Sequence, residues 1–153
     1  MTREELMRKA IDEANCAMEH GEIPVGAVIV SDGEIVSVAH NEREGLCDPT
    51  AHAEVLAIRR AAQRLGRRRL HGCTLYVTLE PCPMCAGTIA MSGLDEVVFG
   101  AYDREAGCAG SVYNLPEDAA FMHPISCSGG LLEKECAEII AGFFERRRKE
   151  KDL

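Results

Sequence analysis

Four residues in this chain have the types and spacing to do chemistry: Cys82 and Cys85 in the stretch LEPCPMC, and His52 and Glu54 in AHAEV. Two thiols three residues apart have four uses: a disulfide, a redox pair, half of a closed zinc knuckle, or part of an open metal site. A Cys-x-x-Cys at a helix start puts both sulfurs within reach of one ion, and the helix dipole favours their anionic form. With His52 they supply three ligands of a tetrahedral zinc, one ion per subunit. A structural zinc is normally closed by four protein ligands, and no second Cys-x-x-Cys or His-x3-His pair exists in the chain to close this one. The position left open is the mark of a catalytic site. Glu54, two residues from His52, is then placed to take a proton from water and hand it to a substrate.

Each piece alone has a plainer reading. His-x-Glu recurs by chance, and a lone Cys-x-x-Cys after a strand also suits a redox pair. A zinc domain that only binds RNA or protein is the alternative of another class. Glu54 argues against it, since a metal that merely holds a fold needs no proton shuttle. The weight lies in the conjunction, in which His-x-Glu opens one helix and Pro-Cys-x-x-Cys opens the next after a buried strand.

The elements that must position these residues are legible in order. Thr2 and Glu5 predict a capping box, and Met7, Ala10, Ile11, Ala14, Ala17 and Met18 recur at helical spacing until Gly21. PVGAVIVSDGEIVSVAHN predicts a hairpin turning at Asp32-Gly33. A helix follows from Thr50 or Ala51 to about Leu65, then the buried strand CTLYVTL, a helix from about Pro83 to Ser92, and the strand DEVVFGAY. Residues 103–122 read as a long loop with room for a helical turn, the kind that covers a site. A short strand near Ile125 and a C-terminal amphipathic helix, its apolar side Leu132, Cys136, Ile139, Ile140, Phe143 and Phe144, complete the chain. The order implies an α/β fold with one sheet, helices on both faces and parallel later strands. At 153 residues, 1–153 is expected to be a single domain that needs no disulfide. The other six cysteines, Cys16, Cys47, Cys73, Cys108, Cys127 and Cys136, read as packing residues. With no leader pattern and no apolar run of membrane-spanning length, the expected location is cytoplasmic, with no membrane partner.

Charge adds a second theme. The net charge is −8, yet eleven of 17 Lys and Arg lie in two short segments, Arg59 to Arg69 and Arg146 to Lys151. Such local potential attracts phosphates even on an acidic chain. Equally, both segments end helices, where cations balance the helix dipole.

At this point the sequence resembles the cytidine/deoxycytidylate deaminase superfamily of zinc nucleobase deaminases, and within it the bacterial tRNA-specific adenosine deaminases. PVGAVIV, HN at 40–41, DPTAHAEV, TLYVTLEPCPMCAG, VVFGAYD, GCAGS and ECAEIIAGFFERRRKE look like successive blocks of that subfamily over nearly the whole chain. The resemblance implies a three-layer α/β/α fold with one mixed sheet, a homodimer, and hydrolytic deamination of the wobble adenosine, position 34, of an arginine tRNA to inosine. Carried over by position, His52, Cys82 and Cys85 bind zinc and Glu54 is the proton shuttle. Asn41 and the Ala53 backbone contact a flipped base of the anticodon stem-loop; an amide suits a purine edge because it donates and accepts at once. Asn41 also ends a strand, where Asn is common for turn chemistry alone. Leu79, Pro81, Ile23 and Pro24 are candidates for pocket wall or for core, and Glu80 is assigned no chemical role. Relatives often carry basic residues where this chain has Tyr102 and Glu105, next to Asp103. The nearest alternative keeps the zinc chemistry and changes the substrate to a free base, nucleoside or nucleotide of the guanine, cytosine or cytidine type.

Overall fold

The structure, a computed structural model, describes residues 1–121 and 123–151. Met122, the last residue of the predicted loop, and residues 152–153 of the expected domain lie outside the described residues. The elements run α1 (Arg3–Glu19), β1 (Gly26–Ser31), β2 (Glu34–His40), α2 (Ala53–Leu65), β3 (Cys73–Leu79), α3 (Pro83–Ser92), β4 (Glu96–Ala101), β5 (Ser126–Ser128) and α4 (Glu133–Lys151). The predicted order holds.

Thr2 caps α1 as expected: its hydroxyl accepts from Glu5 N–H at 3.1 Å, and the Glu5 carboxylate accepts from Thr2 N–H at 2.8 Å. In the hairpin, Asp32 and Gly33 have φ of 50° and 77°, the left-handed pair that a two-residue turn requires and that Asp-Gly supplies at low cost.

The sheet order is β2-β1-β3-β4-β5. β1 is antiparallel to both β2 and β3, while β3–β4 and β4–β5 are parallel. It follows that β2, β3, β4 and β5 all run the same way, and only β1 is reversed. Alternation along the strands divides the core in two. Ala27, Ile29, Leu75, Val77, Val97 and Phe99 share a buried cluster with Leu56, Ala57 and Ala61 of α2 and Ile89 of α3. Val28, Val30, Tyr76 and Val98, on the other face, pack with Leu6, Met7 and Ala10 of α1 and Cys136 of α4. The result is three layers, α/β/α. Gly26 lets α1 lie close on the sheet, since a Cβ there would strike the carbonyl of Ala10.

Two expectations for the last helix change. Leu132 takes a left-handed φ of 52°, so α4 starts at Glu133. Phe144 is 44% exposed, because neighbours on a helix are about 100° apart and Phe143 already occupies the inward position. No helix among the described residues is long and apolar enough to cross a membrane.

Loops are fixed by buried carboxylates. Glu22 accepts from Glu44 N–H and Gly45 N–H at 2.9–3.1 Å, pinning the segment between β2 and α2. Glu80, fully buried just after β3, accepts from the N–H groups of Asp103, Ala109 and Ser111 at 2.9–3.1 Å and from the Ser111 hydroxyl. Gly107 has no side chain to displace it, since a Cβ there would overlap the Glu80 carboxyl. The predicted loop is thus strapped across the end of the sheet, and it includes one α-turn closed by Gly107 N–H on Asp103 O at 2.8 Å. Glu80→Ala removes the acceptor from three amides, those of Asp103 and Ser111 partly buried and that of Ala109 buried. It is expected to cost about 2–4 kcal/mol in denaturant unfolding and to speed hydrogen exchange at Asp103, Ala109 and Ser111 far more than in β3.

Candidate metal centre and active site

Because β2, β3 and β4 share one direction, their carboxyl ends meet at one edge of the sheet, where the reversed β1 begins. Sites gather at such an edge. The residues that line a cavity of about 140 Å³ there come from each of these ends: Ile23 and Val25 at the start of β1, Asn41 and Arg43 after β2, Leu79, Glu80 and Cys82 after β3, and Asp103 after β4. His52 and Glu54 complete the lining from the start of α2. The volume suits a single base rather than a drug-sized ligand, which typically fills about 300–1,000 Å³.

His52 is the N-cap of α2 and Cys82 the N-cap of α3, one residue earlier than a first-turn position for His52. Neither side chain caps its own helix. Both are therefore free to turn towards each other across the α2–α3 contact. His52 Nδ1 stands 3.7 Å from Cys82 Sγ and 3.5 Å from Cys85 Sγ. Zinc bonds of about 2.0–2.1 Å to nitrogen and 2.3 Å to sulfur at a tetrahedral angle would put N and S roughly 3.6 Å apart. The donor set therefore fits zinc in number, chemistry and spacing. All eight cysteines are free thiols, which removes the disulfide reading.

Burial and mutual contact set the electrostatics. The Cys85 thiol, hydrogen-bonded to Cys82, is held protonated, while the same bond and the nearby His52 draw Cys82 down to about 4. His52 is raised chiefly by its hydrogen bond to Cys82. The two thiols and the imidazole thus share protons that a dication would displace. Glu54 is 4% exposed, and desolvation pushes its carboxyl up to about 7. A carboxyl balanced near neutrality suits one that must both accept and donate.

The structure places the other sequence candidates differently. Asn41 lines the cavity, but its amide also works for the fold: Oδ1 accepts from Ala53 N–H at 2.8 Å and Nδ2 donates to Ile23 O at 3.0 Å. Asn41 is thus the residue that satisfies the first helical N–H of α2. Ala53 is fully buried with that N–H already engaged. Ile23 and Leu79 line the cavity, whereas Pro24 and Pro81 are buried in the fold. A larger neighbouring cleft of about 540 Å³ shares Ile23, Leu79 and Asp103 and adds Tyr102, Arg104, Glu105, Ile140 and Phe144.

Half of the first basic segment, three of its six arginines, is spent on structure. Arg60 pairs with Glu42 at 2.8 Å and Arg64 donates to the carbonyls of Ile35 and Val36. Arg67 donates to the carbonyls of Arg69 and His71. Arg64 to Arg69 also lie at the end of α2 remote from His52, roughly 18 Å along a helix that rises 1.5 Å per residue. In the second segment Arg147 sits 4.7 Å over the Phe143 ring, and α4 reaches the larger cleft through Ile140 and Phe144. Sequence reasoning missed Arg43, whose Nε is buried beside the cavity without a hydrogen-bond partner among the described residues. It also missed the work of Glu80.

Comparison with known proteins places the chain. Residues 1–101 match the model of the cytidine and deoxycytidylate deaminase zinc-binding region. A protein of Bacillus subtilis (strain 168) named tRNA-specific adenosine deaminase is 50% identical, over 99% of this chain and 94% of its own length. A solved structure described as a study of A-to-I editing by tRNA:A34 deaminases superposes with a TM-score of 0.86 at 41% identity, covering 90% of this chain and 99% of that one. The guanine deaminase of Bacillus subtilis is 42% identical, but over 72% of this chain and 71% of its own, with a TM-score of 0.66. With its open His-Cys-Cys donor set, its buried Glu54 and a match along nearly its whole length, the chain belongs to the zinc-dependent cytidine and deoxycytidylate deaminase family, among the tRNA-specific adenosine deaminases.

Proposed function

We propose that this chain hydrolyses the exocyclic amine of adenosine 34 in an arginine tRNA, giving inosine and ammonia. The observation that carries the reading is a buried Glu54 beside three zinc ligands in a cavity sized for one base, in a chain that matches a tRNA-specific adenosine deaminase end to end. His52, Cys82 and Cys85 hold the ion, and bound zinc supplies the Lewis acidity that lets water lose a proton near neutral pH. Glu54 takes that proton and returns it to N1 of the adenine as oxygen bonds to C6. It then carries the second proton to the departing amine. Ile23, Val25 and Leu79 give the flipped base apolar walls, and Asn41 offers it the hydrogen-bonding capacity not used by Ile23 and Ala53.

The larger cleft beside the cavity supports a polymer substrate, since a free base would leave it unused. Tyr102, 42% exposed and edge-on to Phe99, is free to stack on a neighbouring nucleotide. Residues 1–153 act as one domain in this reading, working in the cytoplasm where its substrate is processed. The reading includes a homodimer, which the family resemblance implies. A monomer mass in light scattering removes the dimer from the proposal.

Three measurements test the rest. Incubation with an anticodon stem-loop carrying adenosine at the wobble position is expected to give A-to-I conversion, while guanine and cytidine, run in parallel, stay unreacted. Conversion of guanine or cytidine but not of the RNA sinks the tRNA assignment in favour of a free-base or nucleoside deaminase. Glu54→Gln is expected to retain zinc by metal analysis and to lose on the order of 10²–10⁴ in turnover; loss of zinc instead gives Glu54 the wrong role.

Glu54 also predicts a pH dependence of the metal-free fold. Its carboxyl sits at about 7 against the usual 4.5, so folding takes up a proton between those values. Metal-free stability therefore falls as pH rises from about 4.5 to 7. Glu54→Gln cannot ionise, so by denaturant unfolding it is expected to be more stable than the unsubstituted chain by roughly 3 kcal/mol at pH 8. The gap should close towards pH 5, and a constant gap across that range would mean that the carboxyl is not desolvated.

A further inference from the structure

A second group of metal-ligating side chains lies outside the active site. Cys16 and His20 stand one turn apart at the end of α1, and His40 ends β2. One ligand atom from each lies within 4.8 Å of the other two. In each imidazole Nδ1 already faces an acceptor: His20 Nδ1 is 2.8 Å from the Cys16 carbonyl, and His40 Nδ1 is 3.4 Å from the Glu13 carboxylate. Backbone carbonyls and carboxylates are the partners that metal-binding histidines use for the nitrogen that does not hold the ion. With Nδ1–H donating, Nε2 of both rings is left with a free lone pair.

His20 is the C-cap of α1, the negative end of the helix dipole; the last turn of α1 carries no basic residue of its own, while Arg146 and Arg147 of α4 reach Met18 Sδ and the Gly21 carbonyl beside it. Cys16 and His40 are partly buried and His20 is exposed, so an ion can enter from solvent onto a partly shielded set. Ligands of a tetrahedral zinc stand roughly 3.3–3.8 Å apart, so rotation of the side chains by about an ångström closes the triangle.

We propose that Cys16, His20 and His40 form a second divalent-cation site, whose one thiolate and two imidazoles are donors that zinc accepts, with Glu13 orienting His40 from outside. The site does not depend on the deaminase reading. An ion there ties the end of α1 to the residue before Asn41, and so stiffens the two segments, around Ile23 and Asn41, that wall the cavity.

The test uses the holoenzyme with its active-site zinc in place. Protein is mixed with a few equivalents of zinc, or separately of cobalt(II), desalted and analysed for metal by mass spectrometry. The unsubstituted chain is expected to hold a second equivalent. With cobalt that equivalent brings a thiolate charge-transfer band, and added zinc raises the thermal midpoint. Cys16→Ser and His20→Gln are each expected to keep the first equivalent and lose the second, with its band and its thermal shift. His20 is exposed, so its variant guards against a folding defect in the other. A single equivalent in the unsubstituted chain overturns the proposal, as does a second equivalent that survives in both variants.

Discussion

Two thiols, an imidazole and a carboxyl stand together at a largely buried edge of the sheet, and no arrangement of their own protons suits all four. In the metal-free chain Cys85 keeps its proton so that Cys82 can lose one, His52 is drawn towards its charged form, and Glu54 is forced towards neutrality by burial. A single dication relieves most of this conflict, because it takes two thiolates and a neutral imidazole as ligands and compensates a nearby carboxylate. The rest of the architecture serves to keep those groups from separating. Two helices begin at the same edge, their N-cap side chains face each other instead of their own backbones, and the strands behind them are filled with apolar residues on both faces.

That edge holds its shape because its loops are tied to buried acids. Glu22 and Glu80 are each nearly inaccessible to solvent, and each is satisfied by backbone N–H groups of a distant segment rather than by a basic side chain. Carboxylates held by several amides need no salt bridge and fix backbone instead of side chain. The loop after β4 is therefore long in sequence yet short of freedom, and the cavity that it borders has a defined floor and rim.

How much of this could be read in advance depended on how far apart the interacting residues are. The strands, the hairpin, the capping box and the His-x-Glu and Cys-x-x-Cys motifs were all legible, because each is a pattern within a few residues that one element can satisfy alone. His52, Glu54, Cys82 and Cys85 belong to that class. Asn41 was picked out for its amide, but its service to Ala53, twelve residues on, was not visible, because nothing local says which helix lacks a partner. Glu80 looked idle beside the cysteines, since its amides come from a loop more than twenty residues away. The arginines of α2 looked like a patch for phosphates. The fold turns Arg60 and Arg64 onto carbonyls of β2 and onto Glu42, partners that only the docking of α2 on β2 provides. Phe144 failed for a simpler reason, as two adjacent aromatics on one helix cannot both face the core.

The double engagement of Asn41 has a consequence of its own. A carboxamide is nearly symmetrical in shape, and a free one can turn over to offer either end to whatever approaches. Here turning over would set oxygen against the Ile23 carbonyl and the amino group against the Ala53 N–H, two repulsions in place of two bonds. The ends are thereby labelled. In the proposed reading, an entering base meets a donor and an acceptor in a fixed sequence along its edge, so a ring with those groups interchanged is turned away by handedness of pattern rather than by size.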